Sequence, residues 1–282
     1  MSVLYLVSII LGLAFQNIIR KLYTQKTSGK GVYFFGFLTS LAAMLFFIII
    51  SDGFAWNAGL LVYALFFALS YAASAVAGVA AVAHGPLSIT SLITSYSLMV
   101  PTFYGLIFLK DPISFGLFPG LLLLAISLFL INKKSADSTI TLKWVIYVFI
   151  GFAGNGMCSV VQKMQQIAFN GAYKNEFMIV SLAIVVVILG MFVIKKERKE
   201  IKSVATAGWY TALPCGIANG MVNLFVMILS GIMPISLMFP MISAGGIVIT
   251  YLFSRFIYKE KLTKTQFVGF VIGIASVIFL NI

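Results

Sequence analysis

Residues 234–281 read PISLMFPMISAGGIVITYLFSRFIYKEKLTKTQFVGFVIGIASVIFLN, and the chain has already written a version of this stretch at residues 86–132. Pro86-Leu87-Ser88-Ile89 lies 148 positions before Pro234-Ile235-Ser236-Leu237. The Lys-acid pairs Lys110-Asp111 and Lys259-Glu260 follow at an offset of 149, and that register then holds to the end of both copies. Ile113-Ser114 falls on Leu262-Thr263, Phe118 on Phe267, Gly120 on Gly269, Ser127 on Ser276 and Asn132 on Asn281. Each copy is an apolar run, a short charged turn and a second apolar run. One helical hairpin therefore closes each half of a duplicated chain.

The rest of the composition sets the solvent. Of 282 residues, 61% are hydrophobic and only 9% charged, where a soluble domain carries about a quarter charged. A spanning helix takes about 20 residues, so a chain of this length accommodates ten of them with short loops and no further domain. The expectation is an all-α integral membrane protein. The net charge of +12 does not point to nucleic acid, because its Lys and Arg sit in short clusters between apolar runs, as loop anchors do. Cys158 and Cys215 lie inside apolar spans, where Cys is a small buried hydrophobe. No disulfide, metal site or cofactor is expected. The first apolar run has no basic stretch before it and no small-residue cleavage site after it, so it reads as a span and not as a removed signal.

Hydropathy places spans at about 2–19, 31–50, 59–83, 87–109 and 115–131 in the first half, and at 142–164, 177–194, 204–229, 235–256 and 265–280 in the second. The first ends at the basic cluster Arg20, Lys21, Lys26 and Lys30, and His84-Gly85-Pro86 is read as the turn that breaks the third. Residues 1–132 then form one five-helix repeat, 133–141 a linker and 142–282 a second repeat. Gly12, Asn17 and Lys21 fall on Gly154, Ser159 and Lys163, which extends the match toward the start of each half. An odd number of spans per repeat inverts the second relative to the first. The loops after spans one, five, seven and nine carry 16 Lys and Arg, against 3 in the alternate loops. Positive loops stay in the cytoplasm, so the expected place is the cell membrane with both termini outside. Trp56, Trp144, Trp209 and Tyr210 sit near span ends as interfacial anchors.

Two five-span halves, each closing with Pro, a polar helix, Lys-acid-any-[Ile/Leu]-[Ser/Thr] and Phe-any-Gly, resemble the EamA-type transporters of the drug/metabolite transporter (DMT) superfamily over the whole chain. The resemblance implies ten helices around a central cavity between the halves, and a secondary carrier for amino acids, other metabolites, drugs or sugar nucleotides. Two departures stand out. Asp111-Pro112 occupies a position where the pattern prefers Glu, and the Phe-Tyr-Asn-Asn and Gly-Ala-Leu-Asn-Lys motifs of the nucleotide-sugar branch are absent, which disfavours that cargo.

Helical spacing nominates the groups that would line such a cavity. Ser236, Ser243, Thr250 and Ser254 share one face of span nine, and Ser88, Ser91, Ser95 and Thr102 make a similar stripe on span four. Asn155, Ser159 and Gln162 lie on one line of span six. Asn219 and Asn223 are four apart on span eight beside the close-packing pair Gly216 and Gly220, and span one adds Gln16 and Asn17. The expected substrate-binding set is Gln16, Asn17, Tyr71, Ser95, Asn155, Ser159, Asn219, Asn223 and Ser243. Against it stands the reading in which these groups only tie helix to helix. Tyr71, Tyr96 and Tyr251 are candidates for an aromatic box around a quaternary ammonium.

What is missing narrows the chemistry. No Asp, Glu, Arg or His lies at the middle of a span, where charge would mark a proton relay or an ionic substrate. Lys163 and Arg255 lie at span ends and are read as snorkelling. An integral-membrane enzyme needs paired carboxylates, a His cluster or a nucleophile with its base, and seven acids at loops and span ends with one His do not offer them. A channel shows a filter motif or charged ring, and neither is visible. The expected function is a secondary active exporter or exchanger of a small neutral, zwitterionic or largely apolar metabolite, such as an amino acid. A multidrug or quaternary-ammonium transporter is the alternative. The expected partners are that small molecule and the lipid bilayer, with no nucleic acid and a monomer sufficient.

Overall fold

The computed structural model describes residues 2–84, 90, 93–94, 96–131, 141–256 and 263–280. Every regular element among them is helical: α1 (Ser2–Lys26), α2 (Val32–Ile50), α3 (Leu60–His84), α4 (Met99–Phe108, entered through the 3-10 turn Tyr96–Leu98), α5 (Leu117–Ile131), α6 (Leu142–Ala168), α7 (Lys174–Phe192, continued by the π segment Val193–Glu197), α8 (Ile201–Ile232), α9 (Ile235–Phe256) and α10 (Lys264–Leu280). Six of these are long and apolar enough to cross a membrane: α1, α2, α3, α6, α7 and α8. At 1.5 Å per residue, about 20 residues cross a hydrocarbon core of about 30 Å. Large apolar side chains such as Leu4, Ile49, Phe66, Leu69 and Leu122 stand exposed on the helices, a surface that water would not tolerate but lipid does. This is a polytopic, all-helical membrane protein.

Several boundaries differ from the hydropathy reading, α6 running on to Ala168 and α8 from Ile201 to Ile232, and two of the differences bear on residues read there. Helix α1 does not stop at Arg20 but runs through the basic cluster to Lys26. Tyr23 explains this: its ring is buried against Phe35, Ala212 and Cys215, and its hydroxyl donates to the Gly31 carbonyl at 2.7 Å. The chain turns only at Ser28 and Gly29, both at positive φ. Gly31, at φ 68, ends the turn where a Cβ would sit 2.6 Å from the Tyr23 hydroxyl, so only glycine fits. His84 is not in a turn. It is the last described residue of α3, its Nδ1–H donates to the Ala80 carbonyl at 2.8 Å, and its ring lies 5.4 Å from the Tyr147 ring.

The chain forms two compact units, one of residues Met1–Val76 with Val161–Gly231 and the other of Ala77–Val160 with Ile232–Ile282. Each draws on both sequence halves, and α3 and α6 each pass from one unit to the other. A repeat of sequence and a unit of contact are different divisions of the same chain.

In the first unit α8 packs on α1 and α2 through small residues. Gly216 lies so close to Thr39 and Ala42 that a Cβ there would be 2.5 Å from the Thr39 carbonyl, and Gly220 meets Phe46 in the same way. The N-terminus of α2 is closed from a distance by Glu197, a buried carboxylate at the end of the π segment. Its two oxygens accept from the Tyr33 and Phe34 amides at 3.0 and 2.8 Å, satisfying first-turn N–H groups that no helix can satisfy for itself.

In the second unit α5 and α10 form a tight seam. Ser127 Oγ donates to the Gly269 carbonyl at 2.7 Å, and Ser276 Oγ to the Gly120 carbonyl at 2.8 Å. Ascending α5 from Gly120 to Ser127 descends α10 from Ser276 to Gly269, so the helices are antiparallel. Asp111 plays the part here that Glu197 plays in the other unit. Lys110 adopts a left-handed turn (φ 54), the Asp111 amide returns to the Gly105 carbonyl at 3.0 Å, and Asp111 Oδ2 accepts from the Ser236 amide in the first turn of α9 at 3.0 Å. The acid of the first repeated Lys-acid pair is thus a helix cap. Lys259-Glu260, like Ser88, Ser91, Asn132 and Asn281, lies outside the described residues.

Candidate functional site

Four carboxamides inside the first unit form one directed chain. Gln162, on the last turns of α6, is 3% exposed and donates through Nε2 to Asn223 Oδ1 on α8 at 2.9 Å. Asn223 spends both Nδ2 hydrogens on Asn219, one on its main-chain carbonyl at 2.8 Å and one on Oδ1 at 3.1 Å. Asn219 Nδ2 donates in turn to Gln16 Oε1 on α1 at 3.1 Å. The main-chain carbonyl of Asn219 can only accept, so the nitrogen of Asn223 must face it. That single constraint orients every carboxamide in the chain. The amides therefore point the same way and polarise one another.

The chain ends on an unused donor. Gln16 is 6% exposed, and its Nε2 is buried without a hydrogen-bond partner. A buried orphan donor costs about 1–3 kcal/mol. Native structures pair nearly all such groups, so each one left over calls for an explanation; the Ser40, Ser114, Ser181 and Ser236 hydroxyls share this state with it, but Gln16 is the carboxamide, with two hydrogens to place. Gln16 is held there by close packing of α1 on α8: Tyr5 lies 5.3 Å from Phe225, and Gly12 leaves room for Val222.

Further along α6, Gln165 and Gln166 are also buried. Gln166 donates to Gln165 at 2.5 Å and Gln165 to the Ala172 carbonyl at 2.9 Å. Lys163, expected to snorkel, is half-buried and its ammonium donates to the Ser230 carbonyl at 2.5 Å near the end of α8, where a helix presents unsatisfied carbonyls. Neither glutamine is part of the hydropathy reading, which ends span six at residue 164, whereas α6 runs on to Ala168. Their burial comes from the turn at 169–173, which folds back on them.

The expected site residues separate into groups. Gln16, Asn219 and Asn223 meet in the chain just described, and Gln162, noted in the span-six line but not in the expected set, is its fourth member. Asn17, one residue and 100° around α1 from Gln16, is exposed and does not join them. Tyr71 belongs to the first unit, stacked 6.0 Å from Phe67 and packed against Ala68, Val185 and Leu189. Asn155 and Ser159 fall in the second unit. Asn155 Nδ2 donates to Ser97 Oγ at 2.6 Å, Ser97 being fully buried, and Ser159 is buried. Ser243 lines a crevice in that unit with Thr102, Pro240, Tyr96 and Leu128, and the crevice has no room for a water. Ser95 and the side chains of Thr250, Tyr251 and Ser254 lie outside the described residues. Tyr96 uses its hydroxyl on the Ala125 carbonyl at 2.6 Å, and it shares no unit with Tyr71.

No protein-family model matches the sequence, and no curated protein matches it. Among solved structures, one described only as "Crystal structure of protein" is similar with a TM-score of 0.79, covering 99% of this chain and 95% of that one at 12% identity. At that identity the likeness extends to the fold alone.

Proposed function

We propose that this chain is a secondary active transporter of ten spans, built as two inverted five-helix repeats, that exports or exchanges a small neutral, zwitterionic or largely apolar metabolite. The observation that carries this reading is the α5–α10 seam. Ser127 and Ser276 are equivalent in the two sequence copies, as are Gly120 and Gly269, and each serine bonds the other copy's glycine across an antiparallel pair. Equivalent helices running in opposite directions are what an inverted repeat requires, and inverted repeats are the architecture of carriers that alternate access to a central site. The resemblance to the EamA-type drug/metabolite transporters supports the same reading, as does a polar interior made of carboxamides and hydroxyls rather than charges. The chain is not an enzyme on this reading.

The test is uptake or counterflow by the purified protein in proteoliposomes, with amino acids, nucleosides and quaternary amines as solutes. Asn155→Leu, which removes one hydrogen bond on the order of 1 kcal/mol, should slow transport several-fold while the protein still folds. No solute crossing faster than the leak of empty liposomes would end the carrier reading.

Orientation follows from the charge split, with both termini outside and the loops holding Lys26, Lys133, Lys199 and Lys261 in the cytoplasm. In a Cys158→Ser, Cys215→Ser background, Asp52→Cys should react with an impermeant maleimide in intact cells and Lys199→Cys should not. The opposite pattern reverses the topology.

A further inference from the structure

Resting on the carrier reading, we propose that the Gln16 carboxamide nitrogen is a substrate-recognition point, and that it takes a carbonyl or carboxylate oxygen of a molecule without net charge. The chain Gln162, Asn223, Asn219, Gln16 is oriented throughout by one main-chain carbonyl, so the group it offers at its end is a pair of N–H donors and never an acceptor. Three aligned amides behind Gln16 add their dipoles in the direction that makes its hydrogens more positive. The free nitrogen is buried on all sides, which sets it apart from a surface amide satisfied by bulk water. On this proposal a ligand oxygen reaches it when the packing around α1 opens with the Asn219–Gln16 bond kept, an opening that alternating access would supply.

The class of ligand follows from what surrounds the donor. Arg20, one turn along α1 from Gln16, is exposed, and the sequence places no Lys, Arg or His at the middle of any span, so an isolated carboxylate buried at Gln16 would be desolvated with no cation buried beside it. A carboxylate must bring its own cation, as an amino acid does, or the acceptor must be the carbonyl of a neutral amide. A bare amine or quaternary ammonium presents no acceptor and gains nothing from Gln16.

Purified full-length protein should be titrated by thermal shift with L-leucine, L-phenylalanine and isovaleramide, and with the matching acceptor-free amines isoamylamine and phenethylamine. The first three should raise the melting temperature and the amines should not. That comparison needs no variant. Gln16→Met keeps the shape and removes the donor, so it should weaken binding of the acceptor-bearing probes about tenfold or more. Its ligand-free melting temperature should stay within roughly 3 °C of the parent, because the donor it strands on Asn219 replaces the one already stranded on Gln16. The proposal is overturned if amino acid and matching amine stabilise equally, if no acceptor-bearing probe stabilises, or if Gln16→Met lowers only the melting temperature and binds as before. Should any of these occur while tetraethylammonium still enters proteoliposomes, the carrier reading survives without this site. If no solute enters, the carrier reading itself fails.

Discussion

Gly116→Val should nearly abolish recovery of folded protein. Gly116 lies where α5 meets the end of α10, and a Cβ on it would stand 1.8 Å from the Phe279 carbonyl oxygen and 2.9 Å from its carbon. These are main-chain atoms of a helix and cannot turn aside as a flexible side chain does. One turn later Gly120 leaves 2.7 Å between its absent Cβ and Leu280, so the pair forms a Gly-xxx-Gly face on which two backbones touch. Overpacking a side chain against a side chain costs about 1–3 kcal/mol, and against backbone the cost should be about 3 kcal/mol or more. The Ser127 and Ser276 bonds lie along the same seam, so separating the helices at one end also strains bonds further along. Monodisperse yield by size exclusion and the melting temperature of what survives are the readouts. Gly78→Ala is the control, because nothing lies within 4 Å of a Cβ at Gly78. Parental yield and melting for Gly116→Val would refute the contact.

The elements most readable in the sequence were those whose cause is local. Apolar runs gave the helices, and α9 begins where hydropathy places it, at Ile235. The extension of α1 to Lys26 was not readable, because a run of Arg, Lys, Thr and Gln looks like a loop until Tyr23 is seen buried beneath it. The carboxamides were legible as types, since an Asn or Gln in mid-span demands partners. Which of them meet was not. Gln16 and Asn17 are neighbours in the chain, yet a 100° step puts one in the interior and the other on the surface. The line Asn155, Ser159, Gln162 looked like a single face of one helix, but the boundary between the compact units falls after Val160, and Gln162 is the member that bonds α8. Periodicity ranks faces of one helix and says nothing of where a neighbouring helix crosses.

Asn223→Leu should be among the most destabilising polar substitutions in the first unit, and its cost should fall when Gln162 is changed with it. Asn223 is the only member of the chain that bonds on both sides with every hydrogen it has: two donated to Asn219 and an oxygen accepting from Gln162. Leucine fills a similar volume but leaves Gln162 Nε2, buried at 3% exposure, with only the weak acceptor Met178 Sδ at 3.9 Å. It also strips a donor from Asn219. Two stranded groups, at about 1–3 kcal/mol each and partly relieved by relaxation, give an expected loss of about 2–4 kcal/mol. Removing both partners of a buried bond is far milder than removing one. The double variant Gln162→Leu/Asn223→Leu should therefore regain at least about 1 kcal/mol relative to the sum of the single changes, read as melting temperature and as denaturant midpoint. Binding of L-leucine by the same double variant then separates two uses of these residues, orienting Gln16 or only tying helix to helix. If the chain orients Gln16, the double variant should recover stability and still bind L-leucine weakly, since Asn219 and Gln16 are no longer held in line. Strict additivity would mean that Gln162 and Asn223 act independently, and the directed chain would have to be abandoned.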